Sequence, residues 1–105
     1  MKKKSTTSDP YPTVGMGVTI SVGSDRYPAT IIQVTQNGKR IVFQYDTYKR
    51  TDDNGMSESQ AYEFSPDPNG RVEIATLRKD GRYRITGGKT PVHVGSRDAY
   101  YDYSF

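Results

Sequence analysis

Apolar residues in this chain alternate with polar ones and nowhere recur at helical spacing for long. In "GVTISV", Val18, Ile20 and Val22 alternate with Thr19 and Ser21, the period of a half-buried strand. Gly23, Ser24 and Asp25 close that run as a turn. "RYPATIIQVT" then sets Thr30, Ile32 and Val34 on one face and Ala29, Ile31 and Gln33 on the other. Pro28 donates no ladder hydrogen bond, so the strand starts at an edge or just past the proline. The Asn37-Gly38 pair between two β-rich runs is the strongest short-range hairpin signal, and it pairs Thr30–Val34 with Arg40–Tyr45. On the second arm Ile41, Phe43 and Tyr45 face inward, opposite Val42, Gln44 and Asp46.

Downstream the pattern continues in short pieces. "TDDNGMSESQ" is a polar loop turning at Asn54-Gly55, and Tyr62 and Phe64 share one face of the short strand in "AYEFSP". Pro66 and Pro68 stop any strand between them and make "DPNG" a tight turn. A second hairpin turns at Asp80-Gly81, with Val72, Ile74 and Thr76 inward; Leu77 breaks that alternation and points to a bulge. "PVHV" and the tail "RDAYYDYSF" supply one or two last strands. In the tail, Tyr101, Tyr103 and Phe105 share one face while Tyr100 and Asp102 share the other. One set closes the core, which leaves Tyr100 as the exposed anchor. The expected fold is all-β: a small SH3-like, Tudor-like barrel of five to seven short antiparallel strands, with an OB-fold as the alternative. Residues 1–13, polar and twice interrupted by proline, read as a disordered basic arm, and residues 14–105 as a single domain.

Composition narrows the picture. A chain of 105 residues is one domain's worth, and its hydrophobic fraction of 32% allows only a thin core, which suits a barrel with one wet face. There is no cysteine, so neither a disulfide framework nor a thiolate metal site is expected. "MKKKSTTSDPYPT" has a basic start without an apolar run behind it, and no stretch is long and apolar enough for a membrane span; the expectation is a cytoplasmic protein.

Charge needs dissection before it points to a partner. The net charge is +3, but Lys2, Lys3 and Lys4 supply it, and residues 5–105 balance twelve bases against twelve acids. The body is neutral yet uneven. Between Asp46 and Asp67 six acids face two bases, and between Arg71 and Lys89 six bases face two acids.

Catalytic chemistry finds little support. His93 is the single imidazole and points away from the face of Val92 and Val94, with no nucleophile elbow to accompany it. Neither "TDDNGMSE" nor "SPDPNG" places ligands at the first and twelfth positions that a calcium loop requires. No enzyme, cofactor or metal is expected, and binding remains. Two surfaces qualify. In "LRKDGRYR", Tyr83 lies among Arg78, Lys79, Arg82 and Arg84, a combination that grips phosphates and stacks a base unless the tyrosine packs inward. The other surface is aromatic. Nine tyrosines without a tryptophan is a heavy load for a thin core, and Tyr48 and Tyr100, with Tyr27, Tyr45 and Tyr62, are candidate interface anchors. A Tudor-like cage for a methylated cation would need three or four of these rings on one rim.

The stretches "VGMGVTI", "GSDRYPATI", "GMSESQAYEFSPDPNG", "LRKDGRYR" and "RDAYYDYSF" together resemble a group of small accessory proteins encoded by bacteriophages and prophages. The resemblance spans Val14 to Phe105. It implies a protein acting inside an infected bacterium by binding a host or phage protein, in the manner of inhibitors of host factors or of defence systems such as CRISPR effectors. A nucleic-acid-binding barrel using the basic hairpin and Lys2–Lys4 is the alternative.

Overall fold

The computed structural model of the chain describes residues 11–56 and 60–100. Eight strands follow one another: β1 (Gly17–Val22), β2 (Asp25–Thr35), β3 (Arg40–Tyr45), β4 (Thr47–Arg50), β5 (Tyr62–Ser65), β6 (Val72–Leu77), β7 (Tyr83–Ile85) and β8 (Pro91–Val94). Six of them close an antiparallel barrel in the order β1-β2-β3-β6-β7-β8, and β4 and β5 form a separate two-stranded ribbon. The expected small all-β, SH3-like barrel is what the chain forms. Its expected arm differs at the boundary: Met1–Pro10 and the tail residues 101–105 lie outside the described residues, whereas Pro12 is buried and Tyr11 lies against Gly38.

Phe43, Ile20, Ile31, Ile41 and Val18 are completely buried and fill the barrel with Ala29, Ala75, Tyr83, Val92 and Val94. Each such large side chain contributes about 1.5–3 kcal/mol by leaving water. The β2-β3 hairpin forms as expected, with Asn37 and Gly38 in its turn. That turn is a four-residue loop with left-handed backbone at Gln36, Asn37 and Gly38. Asp80-Gly81 lies in the β6-β7 turn, where Arg78 N–H donates to the carbonyl of Arg82.

Two assignments of facing residues are corrected. On β2 the pairing slips between Ile31 and Gln33, so Ile32 is a bulged residue, 43% exposed, while Ile31 and then Val34 turn inward. The bulge inserts one residue and flips the alternation beyond it. On β6, Ile41 pairs with Ala75 and Phe43 with Glu73, so the odd-numbered residues face in, and Val72, Ile74 and Thr76 face out. No bulge occurs at Leu77, whose pairing with Tyr83 continues the β6-β7 register. The reason is space: Phe43 and three isoleucines fill so tight a barrel that a small Ala75 fits beneath, while β-branched residues suit the outer pleat equally well.

β1 also departs from simple alternation. Val22 is exposed at the turn, and Thr19 is buried because the segment after β8 covers it, with the Thr19 hydroxyl donating to the Ser96 carbonyl at 2.8 Å. That segment is clamped at Asp46, the residue between β3 and β4. The Asp46 carboxylate accepts from Arg97 Nε at 2.9 Å and from the Thr30 hydroxyl at 2.7 Å, and Arg97 also donates to Thr30. Gly17 makes room for the Arg97 stem, since a Cβ there would lie 2.6 Å from Arg97 Cγ.

Candidate binding surfaces

The ribbon carries the aromatic surface. Pairing of Tyr48 with Phe64 and of Arg50 with Tyr62 puts these four side chains on one face, with Lys49 and Glu63 on the other. Tyr48 and Tyr62 meet edge to face at 5.6 Å between ring centroids, and Tyr62 stacks on Phe64 at 6.4 Å. Tyr48 remains 41% exposed. The rings touch one another in a row, so they do not enclose the slot that a cation cage needs. They form a continuous amphipathic plate.

The loop between β4 and β5 is organised by Asp52. Its carboxylate accepts from Arg50 Nε and from the backbone N–H groups of Ala61 and Asn54, at 2.9, 2.6 and 2.8 Å. The Arg50 contact leads, and the two amides add to it, in holding the Asp52 carboxyl well below the usual carboxylate range. Arg50 also donates to the Gly55 carbonyl. These bonds fix the ribbon from inside its own loop. At its base, Gln44 donates to the carbonyls of Pro68 and Gly70, and a Cβ on Gly70 would come within 2.2 Å of the Tyr45 carbonyl. The Tyr45 hydroxyl, its pKa raised by burial and then by Glu73, donates to Glu73 at 2.9 Å beneath the Arg71 guanidinium.

The basic hairpin is brought together in part. Lys79 and Arg82 are exposed at the turn. Arg78 donates to the carbonyls of Ile85 and Gly88, and Arg84 forms an ion pair with Asp80 at 3.0 Å. The Arg82 N–H, more than Arg84, holds the Asp80 carboxyl below its ordinary value. Tyr83 departs from the expected stacking role: it is only 5% exposed, belongs to the core, and donates its hydroxyl to the Gly38 carbonyl. In this three-residue strand alternation turns Tyr83 and Ile85 toward the core and leaves Arg84 outward.

Tyr100 is half-buried. Its backbone bridges Arg26 on β2 in both directions, at 2.9 and 3.0 Å, and the Arg26 guanidinium sits 4.8 Å over its ring. The start of the tail is therefore stitched along β2, while the expectation for Tyr101, Tyr103 and Phe105 falls outside the described residues. His93 is exposed, between buried Val92 and Val94. Tyr27 and Tyr45 lie apart from the ribbon plate, on Asp25 and Phe43 respectively. Phe64 belongs to the plate on the face it was expected to share with Tyr62, although only tyrosines were named as anchors. Among the described residues no helix is long and apolar enough to cross a membrane.

No family model matches the chain, and no curated protein or solved structure matches it either.

Proposed function

We propose that this protein is a non-catalytic binding module whose partner is another protein, and that the ribbon face of Tyr48, Tyr62 and Phe64 is the contact. The observation that carries this reading is an aromatic plate held on a ribbon that pairs with no other described strand. Tyrosine at such a place presents large, stiff, amphipathic area at little entropic cost. The ribbon's internal bonds at Asp52 and Arg50 preorganise the plate, which lowers the cost of association. The likeness to phage and prophage accessory proteins extends the proposal to its setting: a bacterial cytoplasm, and a host or defence factor as the protein inhibited.

The test compares capture from nuclease-treated bacterial lysate by the wild-type chain and by Tyr48→Ser. A partner retained by the wild type at high salt and lost by the variant supports the reading. Truncating one such anchor costs about 2 kcal/mol or more, roughly 30-fold in affinity. Partners that wild type and variant hold equally, or that nuclease and salt release, would sink it.

A further inference from the structure

The barrel end opposite the ribbon's base gathers positive charge beyond what the hairpin alone supplies. Arg40 pairs with Thr76, and Thr76 pairs with Arg84, so the two arginines lie on one rung across β3, β6 and β7. All three side chains face outward, because their neighbours Ile41, Ala75 and Tyr83 are buried. Arg78 lies beside Thr76, with Nε 3.4 Å from its hydroxyl. Its guanidinium donates to carbonyls, which leave its charge uncancelled. Lys79 and Arg82 continue the patch into the turn. The Leu77 N–H donates to the Lys39 carbonyl at 2.7 Å and so brings the β2-β3 loop alongside. Asp80 is the one acid within this group, and it is bonded to Arg84. The patch thus has a net charge of +5, and because residues 5–105 sum to zero, the rest of the body has −5.

An aromatic ring stands at the edge of this patch, and it is not Tyr83. Tyr11 lies on Gly38, where a Cβ would meet its ring at 2.8 Å, next in sequence to Lys39. It is 64% exposed. Gly38, left-handed at φ +85°, has no side chain to displace the ring, and its carbonyl is held from beneath by the Tyr83 hydroxyl.

We propose that this pole is a second binding surface, for single-stranded nucleic acid: Arg40, Arg84, Lys79 and Arg82 take successive phosphates, and Tyr11 stacks a base. Cations in a row with an exposed ring at the margin is the arrangement that sequence-tolerant single-strand binders use. An acidic protein would match the charge as well, and competition by polyglutamate separates it from a single strand. Duplex would keep its bases stacked on one another and leave Tyr11 idle.

The test is fluorescence anisotropy of the full chain with labelled oligothymidine and with a duplex of equal length, across a salt series. The single strand binds more tightly, and log K falls with log salt at about −0.7 for each phosphate neutralised, near −3 for four contacts. Tyr11→Ala lowers affinity by about 5- to 150-fold and leaves that slope unchanged. The pair Lys79→Glu and Arg82→Glu, both exposed, weakens binding and flattens the slope with the melting temperature unaltered. Tyr48→Ser leaves oligothymidine affinity intact, which separates this surface from the ribbon. The proposal is overturned by any of three results: duplex preferred with Tyr11→Ala silent, polyglutamate competing as well as oligothymidine, or binding that survives the charge swap and disappears when Lys2, Lys3 and Lys4 are replaced by alanine.

Discussion

The barrel and the ribbon solve opposite problems with the same element. In the barrel every strand has two neighbours, its wall has no edge, and aliphatic side chains with Phe43 are sealed inside. In the ribbon each strand has one described neighbour, and the large side chains are aromatic and half in water. A two-stranded sheet cannot bury enough to stand by itself in water. It persists here because Asp52, Arg50 and the Gln44 contacts below it replace burial with hydrogen bonds. The difference teaches where each kind of residue is spent: burial makes the fold, and the rings left over from it are available for contact.

That contrast can be broken from either side. Phe43→Ala should cost about 3–5 kcal/mol, a large part of the 5–15 kcal/mol that holds a small domain together, and should abolish or sharply lower the cooperative melt. Arg97→Ala strands the buried Asp46 carboxylate and should cost about 3 kcal/mol; in urea unfolding, the double variant with Asp46→Ala should recover part of that loss. Gly70→Ala forces a methyl group against the Tyr45 carbonyl and should cost about 1–3 kcal/mol by the same measurement. Asp52→Asn should loosen the ribbon only: amide exchange speeds up at Asn54 and Ala61 while the barrel's melting temperature holds. Acid should imitate it. The Asp52 carboxyl is depressed in the folded state, so its stabilisation is complete above about pH 4 and is lost as pH falls further. The ribbon amides should then exchange faster while the barrel core stays protected. Smallest of all, Tyr48→Ser should move stability by no more than about 0.5 kcal/mol. A barrel that unfolds with Asp52→Asn, or a ribbon indifferent to it, would erase the distinction between the two regions.

Much of the barrel was legible because turn chemistry is local. Asn37-Gly38 and Asp80-Gly81 both sit in hairpin turns, and the period-two pattern places Val18, Ile20, Ile41, Phe43, Val92 and Val94 inside. Facing is harder when both faces carry β-branched residues. Val72, Ile74 and Thr76 are as good an inner set as any until the register with β3 is known, and register is a long-range property. The bulge at Ile32 is hidden for the same reason. β4 escaped notice because its four residues, Thr47 to Arg50, are polar or amphipathic throughout. Of the candidate surfaces, the aromatic residues were visible as a class, but which of them meet depends on a β4-β5 pairing that closes a loop of eleven residues, Thr51 to Ala61 inclusive. Tyr11 gave no signal, since its place depends on a glycine 27 positions away.

One feature of the barrel also governs how the protein is made. The seam is β1 against β8, reinforced by the Gly95 N–H on the Gly17 carbonyl and by Arg97 on Asp46. A ribosome that has released everything through β7 therefore holds out an open, curling sheet whose first strand is paired with β2 alone. Closure waits for β8 to emerge, and until then the nascent chain shows unpaired edges to its neighbours.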